Sequence, residues 1–268
     1  MPPNYESQTF WDTRFKKEEH FEWLDDGRDT IVPVLREHLR THAEADPESA
    51  GPPLVLHIGA GTSTLSNDIV EAHQSVYGRP PGGLVVLNTD FAQEAVRRGT
   101  AAGGRAEVVA WAQLDLLEWR DMRAMRDRVE EVEGRRFAFV VDKSTTDAIA
   151  CRGDMGFSQQ ACEAAAGDYH PAIVAAALAS PTGYIDVHPA AVLAHHLAAL
   201  VQAGGVWIVL SYSSNRFPFL TYDSNDQDSE NKIEASARAF WRLERVQAVK
   251  VKEEGTAGES TVHTPELA

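Results

Sequence analysis

The run Pro53-Leu54-Val55-Leu56-His57-Ile58 ends in Gly59-Ala60-Gly61, and a helix-like pattern opens at Leu65. Glycines let the backbone turn sharply and bring a ligand against it, and the helix that follows offers unpaired N–H groups. Such a turn, at the carboxyl end of a first parallel strand, is suited to a nucleotide. Three later apolar runs are closed by acids in order: Leu84 to Asp90, Ala106 to Leu114 before Asp115, and Phe137 to Asp142. Each aspartate alone also fits a helix cap or a turn. In ordered combination with the glycine turn they form a row of acceptors along consecutive strand ends.

The kind of ligand is narrowed by what the turn lacks. A dinucleotide fingerprint needs a third glycine for close helix–strand packing, and Thr64 stands there. A phosphate-binding loop needs Gly-Lys-Ser/Thr, a tripeptide absent from the chain. Both losses point to a ligand without a pyrophosphate, and S-adenosylmethionine is one. Its amino-acid end can lie near the glycine turn. Its ribose diol calls for an acid after the second strand, and its adenine for contacts after the third. Asp90 and Asp115 answer those needs, since a carboxylate accepts both hydroxyl protons of a diol.

These residues must be held by alternating strands and helices. Asp29-Thr30 could cap a helix from Ile31 to about Ala43, and a Pro- and Gly-containing loop, Asp46 to Pro53, leads to the first strand. Leu65 to Val76 reads as helix, with a break over Gly78 to Gly83. Helices are expected at Gln93 to Arg98, Arg120 to Glu133 and Val192 to Gln202. Gly204-Gly205 reads as a tight turn before a fifth strand, Val206 to Ser211. The alternation predicts an α/β fold, a doubly wound and mostly parallel Rossmann-like sheet with helices on both faces. A single domain over residues 1–268 is expected, with an N-terminal cap over 1–50. A segment over 150–186 is longer than a connection needs and reads as a lid or an oligomer contact. Asp223 to Glu230 reads as an acidic loop, and Arg245 to Val251 is strand-like.

Composition bounds the function classes. The 268 residues are 43% hydrophobic, with 6 Trp and 10 Phe, enough for a sizeable core. A net charge of −15 argues against general nucleic-acid affinity and is compatible with a basic partner. Cys151 and Cys162 form no disulfide framework or zinc site, no secretory signal opens the chain, and no apolar run could span a bilayer. A cytoplasmic protein is expected.

The chain resembles the seven-strand, S-adenosylmethionine-dependent methyltransferases, and within them the methyltransferase-like group that includes the elongation factor 1A lysine methyltransferases. The resemblance rests on Trp11-Asp12-Thr13-Arg14-Phe15, Phe21-Glu22-Trp23-Leu24 and Leu56 to Ser66. It continues in Asn88-Thr89-Asp90-Phe91, Asp142-Lys143-Ser144-Thr145-Thr146-Asp147 and Gly204-Gly205. It covers about Tyr5 to Ser211, apart from the 150–186 segment. That group usually has Gly-Cys-Gly-Asn at the turn, where this chain has Gly59 to Thr62. It also usually has a glycine where this chain has Ser144, a change that bears on the shape of the acceptor pocket.

The resemblance implies that Gly59 and Gly61 line the methionine part of the cofactor, that Arg14 holds its carboxylate, and that Trp11 closes over it. It implies Asp90 on the ribose, Phe91 beside the adenine, and Asp115 and Leu116 at the adenine edge. Asp142 and Lys143 would face the transfer site, with Asp147 as a further candidate. The acceptor would be a protein lysine or a small molecule, with Phe157, Tyr169, Tyr212 and Phe217 available to line its pocket. A binding or scaffold protein that keeps the fold without catalysis is the alternative, and Thr64 disfavours a nicotinamide oxidoreductase. No metal is expected: His38 and His42 have metal-pair spacing without a third ligand and suit a solvated helix face. His57 reads as a satisfied buried histidine, and His195-His196 as structural.

Overall fold

In a computed structural model, residues 4–18, 23–45, 52–78, 83–103, 107–221, 233, 236–253 and 256–268 are described. The expected loop at Asp223 to Glu230 lies outside these residues, as do most of the expected loops at 46–53 and 78–83. The chain opens with helices α1 (Gln8–Lys17) and α2 (Ile31–Ala45). Strand β1 (Leu54–Ile58) leads through the glycine turn into α3 (Leu65–Tyr77). Next come β2 (Val86–Asp90), α4 (Gln93–Ala101), β3 (Val109–Gln113), α5 (Trp119–Glu133) and β4 (Phe137–Lys143). Each unit follows from an apolar run of strand length followed by a half-apolar helical repeat.

Beyond β4 the chain forms α6 (Thr145–Ala150), β5 (Met155–Ser158), α7 (Gln159–Ala164), α8 (Pro171–Ala179), β6 (Tyr184–Val187) and α9 (Pro189–Ala198). It ends with β7 (Val201–Ser211), α10 (Pro218–Thr221), β8 (Trp241–Glu253) and β9 (Thr256–Leu267). The main sheet has seven strands in the order β3-β2-β1-β4-β7-β9-β8. Its first five strands pair in parallel, and β9 runs antiparallel to both β7 and β8. The winding reverses between β1 and β4, and in such sheets the ligand crevice opens at the strands' carboxyl ends beside that reversal.

Two apolar layers cover the sheet. Leu54, Leu56, Ile58, Phe137 and Val140 pack with α5 and α9 residues such as Met122 and Leu193. Val55, Phe139 and Val141 pack with Leu35 and Leu39 of α2 and with Ile69 of α3. Residues from the 150–186 segment, Phe157, Cys162, Ile173 and Ala177, are buried in the first layer. That segment carries a two-stranded antiparallel ribbon of β5 and β6.

Three expectations are corrected. Gly204-Gly205 is no turn before a strand, and the helix expected to reach Gln202 ends at Ala198. Both glycines belong to β7, where a register shift pairs Phe137 with Val201 but Phe139 with Val206. The extra residues bulge, Gly204 adopts φ +72°, and a Cβ on Gly205 would meet Val201 at 2.4 Å. His38 and His42 are not on a fully solvated face as expected: both are half-buried, with their rings 6.4 and 6.1 Å from that of Phe139. Among the described residues no helix is long and apolar enough to cross a membrane, and no cluster of His, Cys, Asp and Glu could hold a metal.

Candidate functional site

A cavity of about 170 Å³ lies over the carboxyl ends of β3, β2, β1 and β4. Its floor is the turn after β1, where Gly59 and Gly61 adopt φ +56° and +53°. A Cβ at Gly59 would fall 2.1 Å from Thr145 Oγ1, and one at Gly61 would fall 3.1 Å from Phe15. The glycines are therefore needed twice, for the left-handed backbone and for close packing.

Asp90, the last residue of β2, is 7% exposed. One of its oxygens accepts the Gly61 N–H at 2.8 Å and the other accepts the Ala92 N–H at 2.8 Å. Burial pushes its carboxyl up to about 6 against the opposing effect of those N–H groups. On the β3 side, Leu114, Asp115, Leu116 and Leu117 line the cavity. Asp115 accepts the Leu117 N–H at 3.0 Å, and burial raises its pKa. The Leu116 carbonyl is tied to His196 Nδ1 at 2.8 Å from beneath.

An aromatic wall covers the floor. Tyr5, Trp11, Phe15 and Trp23 line the cavity. Trp11 stacks on Phe15 at 5.7 Å, four residues on along α1, and Tyr5 meets Trp23 edge-on at 5.3 Å. The wall is anchored because Asp12 Oδ1 accepts the Glu94 N–H at the start of α4 (2.9 Å) and Gln8 Nε2 donates to the Phe91 carbonyl (2.8 Å). The Asp12 of the Trp11-Asp12 pair is thus an α4 cap that seats Trp11.

The β4 side is the turn Lys143-Ser144-Thr145, all three lining the cavity. Lys143 Nζ donates to the Trp23 carbonyl at 3.2 Å. Thr145 Oγ1 donates to the Ile58 carbonyl at 3.0 Å. His57 also lines the cavity, with Nδ1 2.8 Å from Asn88 Oδ1, and burial lowers its pKa to about 4, so the ring is neutral near pH 7.

The residues singled out in the sequence therefore divide. Trp11, Gly59, Gly61, Asp90, Phe91, Asp115, Leu116 and Lys143 share one cavity. Arg14, Asp142 and Asp147 do not line it. Arg14 Nε donates to Glu18 at 2.9 Å, and the guanidinium stands 5.9 Å from the Trp11 ring. Asp142 is fully buried and accepts the Thr145 and Thr146 N–H groups and the Thr146 hydroxyl. Neighbouring strand residues point to opposite faces, and of Asp142 and Lys143 it is Lys143 that lines the cavity. Asp147 accepts from Ser211 Oγ (2.6 Å) and the Tyr212 N–H (3.0 Å), and pairs with Arg216 at 2.5 Å.

None of the four aromatics expected to line an acceptor pocket borders this cavity. Phe157 packs on Tyr169 at 5.8 Å, Phe217 on Trp207 at 4.9 Å, and Tyr212 is half exposed. Of residues 150–186, Arg152 alone lines the cavity. Tyr5, Phe15, Trp23, Thr145, Ile149 and Arg152 also line the cavity, and none of them was assigned a role from sequence. Phe15 was accessible from its i, i+4 spacing to Trp11, whereas Ile149 and Arg152 carry no local signal.

No family model matches the chain. It is 30% identical over 152 residues to "Methyltransferase srdJ" of Neurospora crassa, a match that covers 57% of this chain and 57% of that protein. Among solved structures, it is similar to an S-adenosylmethionine-dependent methyltransferase from Anabaena variabilis (TM-score 0.49, 8% identity, 97% of this chain and 93% of that one). It is also similar to the N-methyltransferase NodS of Bradyrhizobium japonicum in complex with S-adenosylhomocysteine (TM-score 0.43, 10% identity, 96% and 98%).

Proposed function

We propose that this chain is an S-adenosylmethionine-dependent methyltransferase. The observation that carries the reading is the wall in which the Gly59–Gly61 turn, Asp90, Asp115 and Leu116 follow one another across β1, β2 and β3. The two N–H groups on Asp90 leave lone pairs on both oxygens for a ribose diol. The partial match to a curated methyltransferase supports the same reading.

When bound, S-adenosylmethionine supplies a methyl group on a cationic sulfur, open to in-line attack by a nucleophile. The chain's own residues align the partners and exclude water. Asp90 orients the ribose, Leu116 and Phe91 flank the adenine, and Trp11, Phe15 and Trp23 close the space above the turn. Neutral His57 adds no positive charge beside the sulfonium.

The acceptor is the amine nitrogen of a protein lysine or a nucleophile of a small molecule. Calorimetry with S-adenosylhomocysteine, followed by tritiated methyl transfer into cell extract split into protein and small-molecule fractions, tests both parts. No binding at millimolar ligand would defeat the reading. Binding without label in either fraction would favour a scaffold, and label in protein alone would exclude the small-molecule acceptor.

A further inference from the structure

We propose that Ser144 and Lys143 hold the amino-acid end of the methyl donor, the place the family resemblance gives to Arg14. The inference rests on the donor reading above. It begins with a hydroxyl that has no partner. Ser144 is 4% exposed and lines the cavity, yet its Oγ makes no hydrogen bond among the described residues. Every other polar group of that turn is engaged. Asp142 takes the Thr145 and Thr146 donors, Thr145 Oγ1 reaches the Ile58 carbonyl, Lys143 Nζ reaches the Trp23 carbonyl, and the Ser144 N–H donates to Leu210. A buried hydroxyl without a partner is unfavourable, and a ligand in the cavity removes the cost.

The backbone supplies a second, independent observation. Ser144 has φ +64° and ψ 10°, and besides Leu24 it is the one described non-glycine residue with positive φ. Glycine would occupy this position without strain. A serine at a strained position on a cavity wall, where glycine would fit without strain, points to a role for its hydroxyl.

The order of the strands says which end of the donor arrives there. Adenine, ribose, sulfonium and amino acid follow one another along the molecule. Asp115 follows β3, Asp90 ends β2, Gly59 follows β1, and Lys143-Ser144 closes β4, in the sheet order β3-β2-β1-β4. Three inter-strand spacings, about 14 Å, separate the first from the last. A donor with its ribose on Asp90 and its sulfur over the glycine turn extends its amino-acid end onto the β4 turn, whose Thr145 already touches Gly59. There the Lys143 ammonium faces the carboxylate, and the Ser144 hydroxyl, both donor and acceptor, bonds to the carboxylate or the amine. Arg14 is turned to Glu18 and lines no part of the cavity.

Two probes isolate that end: S-adenosylhomocysteine, which carries the amino acid, and methylthioadenosine, which lacks it. The wild-type chain is expected to bind the first more tightly in calorimetry. Ser144→Gly and Ser144→Ala should each weaken S-adenosylhomocysteine about tenfold and leave methylthioadenosine within about twofold, the tenfold corresponding to one hydrogen bond to a charged group. Lys143→Met should act in the same direction. Ser144→Gly should also melt about 2–4 °C above the wild type without ligand, since it relieves the left-handed residue, so its loss of affinity is not a loss of fold. Unchanged discrimination between the probes in both Ser144 variants would overturn the inference, leaving the hydroxyl bonded to a structural water. Equal binding of the two probes by the wild type would overturn it as well. If the wild type binds neither probe, the donor reading itself falls.

Discussion

The Asp90 carboxylate accepts the Gly61 N–H at 2.8 Å across 29 residues of sequence, tying the acid at the end of β2 to the glycine turn after β1. Two features that look independent in the sequence are one device, with the acid held in place before any ligand arrives.

The same geometry gives Asp90 a pH dependence. Burial raises its pKa to about 6, so the ionised form that accepts a diol is complete well above pH 6 and is lost as the pH falls below it. Affinity for S-adenosylhomocysteine should fall about tenfold between pH 7 and pH 5, the cost of binding against one proton. Asp90→Asn should bind weakly and nearly independently of pH over that range. A wild-type profile that is flat in calorimetry would remove Asp90 from the ribose contact.

Gly59 offers a test of the cavity floor. A methyl group there sits 2.1 Å from Thr145 Oγ1 in a residue with φ +56°, so Gly59→Ala must displace the Thr145 side chain and strain the turn. The expected loss of stability is about 1–3 kcal/mol, read from urea denaturation, with S-adenosylhomocysteine binding reduced at least tenfold. Gly78→Ala is the control: its φ is +67° but a Cβ there meets nothing within 4 Å, so it should cost stability alone.

How much of this was legible in the sequence follows from which forces are local. β1, β2 and β4 are buried along their whole length, so each opens in an apolar run, and the strand ends or the turns that follow carry glycine or acid. The tail was harder. β8 alternates charged and apolar residues at the sheet edge, and β9 inserts between β7 and β8, a long-range pairing with no local mark. In the site, Asp90 could be placed because it ends its strand. Asp142 could not, because its orientation depends on its register opposite Ile58 and on two threonines that follow it. The φ of Ser144 is likewise set by the tertiary fit of the turn.

Asp142 therefore should behave as a structural acid. Burial drives its pKa up to about 7, although Thr146 and the Thr145 N–H oppose the shift. Asp142→Asn keeps an oxygen for the Thr145 N–H at 2.8 Å and should lower stability by about 1 kcal/mol while leaving donor affinity within about twofold. Methyl transfer should survive in proportion to folded protein. Loss of transfer with stability and donor affinity intact would instead place Asp142 in the chemistry.

Buried histidines make the fold acid-sensitive. Burial lowers His57, His73 and His196 to about 4 and His170 to about 3, and His170 packs on Trp119 at 4.6 Å beside His196. Each has a folded pKa below its unfolded value near 6.5, so the unfolded chain binds more protons between the two. Their stability is fully present above about pH 6.5 and is lost as the pH falls toward 4. Asp90 and Asp142 act with the opposite sign, since their raised values of about 6 and about 7 let the folded state take protons first. Four histidines against two carboxyls leave a net loss near pH 5, on the order of 1–3 kcal/mol per pH unit. The urea midpoint should therefore drop between pH 7 and pH 5, and a midpoint that rises would show that the two carboxyls dominate. His196→Gln should reduce that drop, and because the His196 ring holds the Leu116 carbonyl at 2.8 Å, it should also weaken S-adenosylhomocysteine at neutral pH.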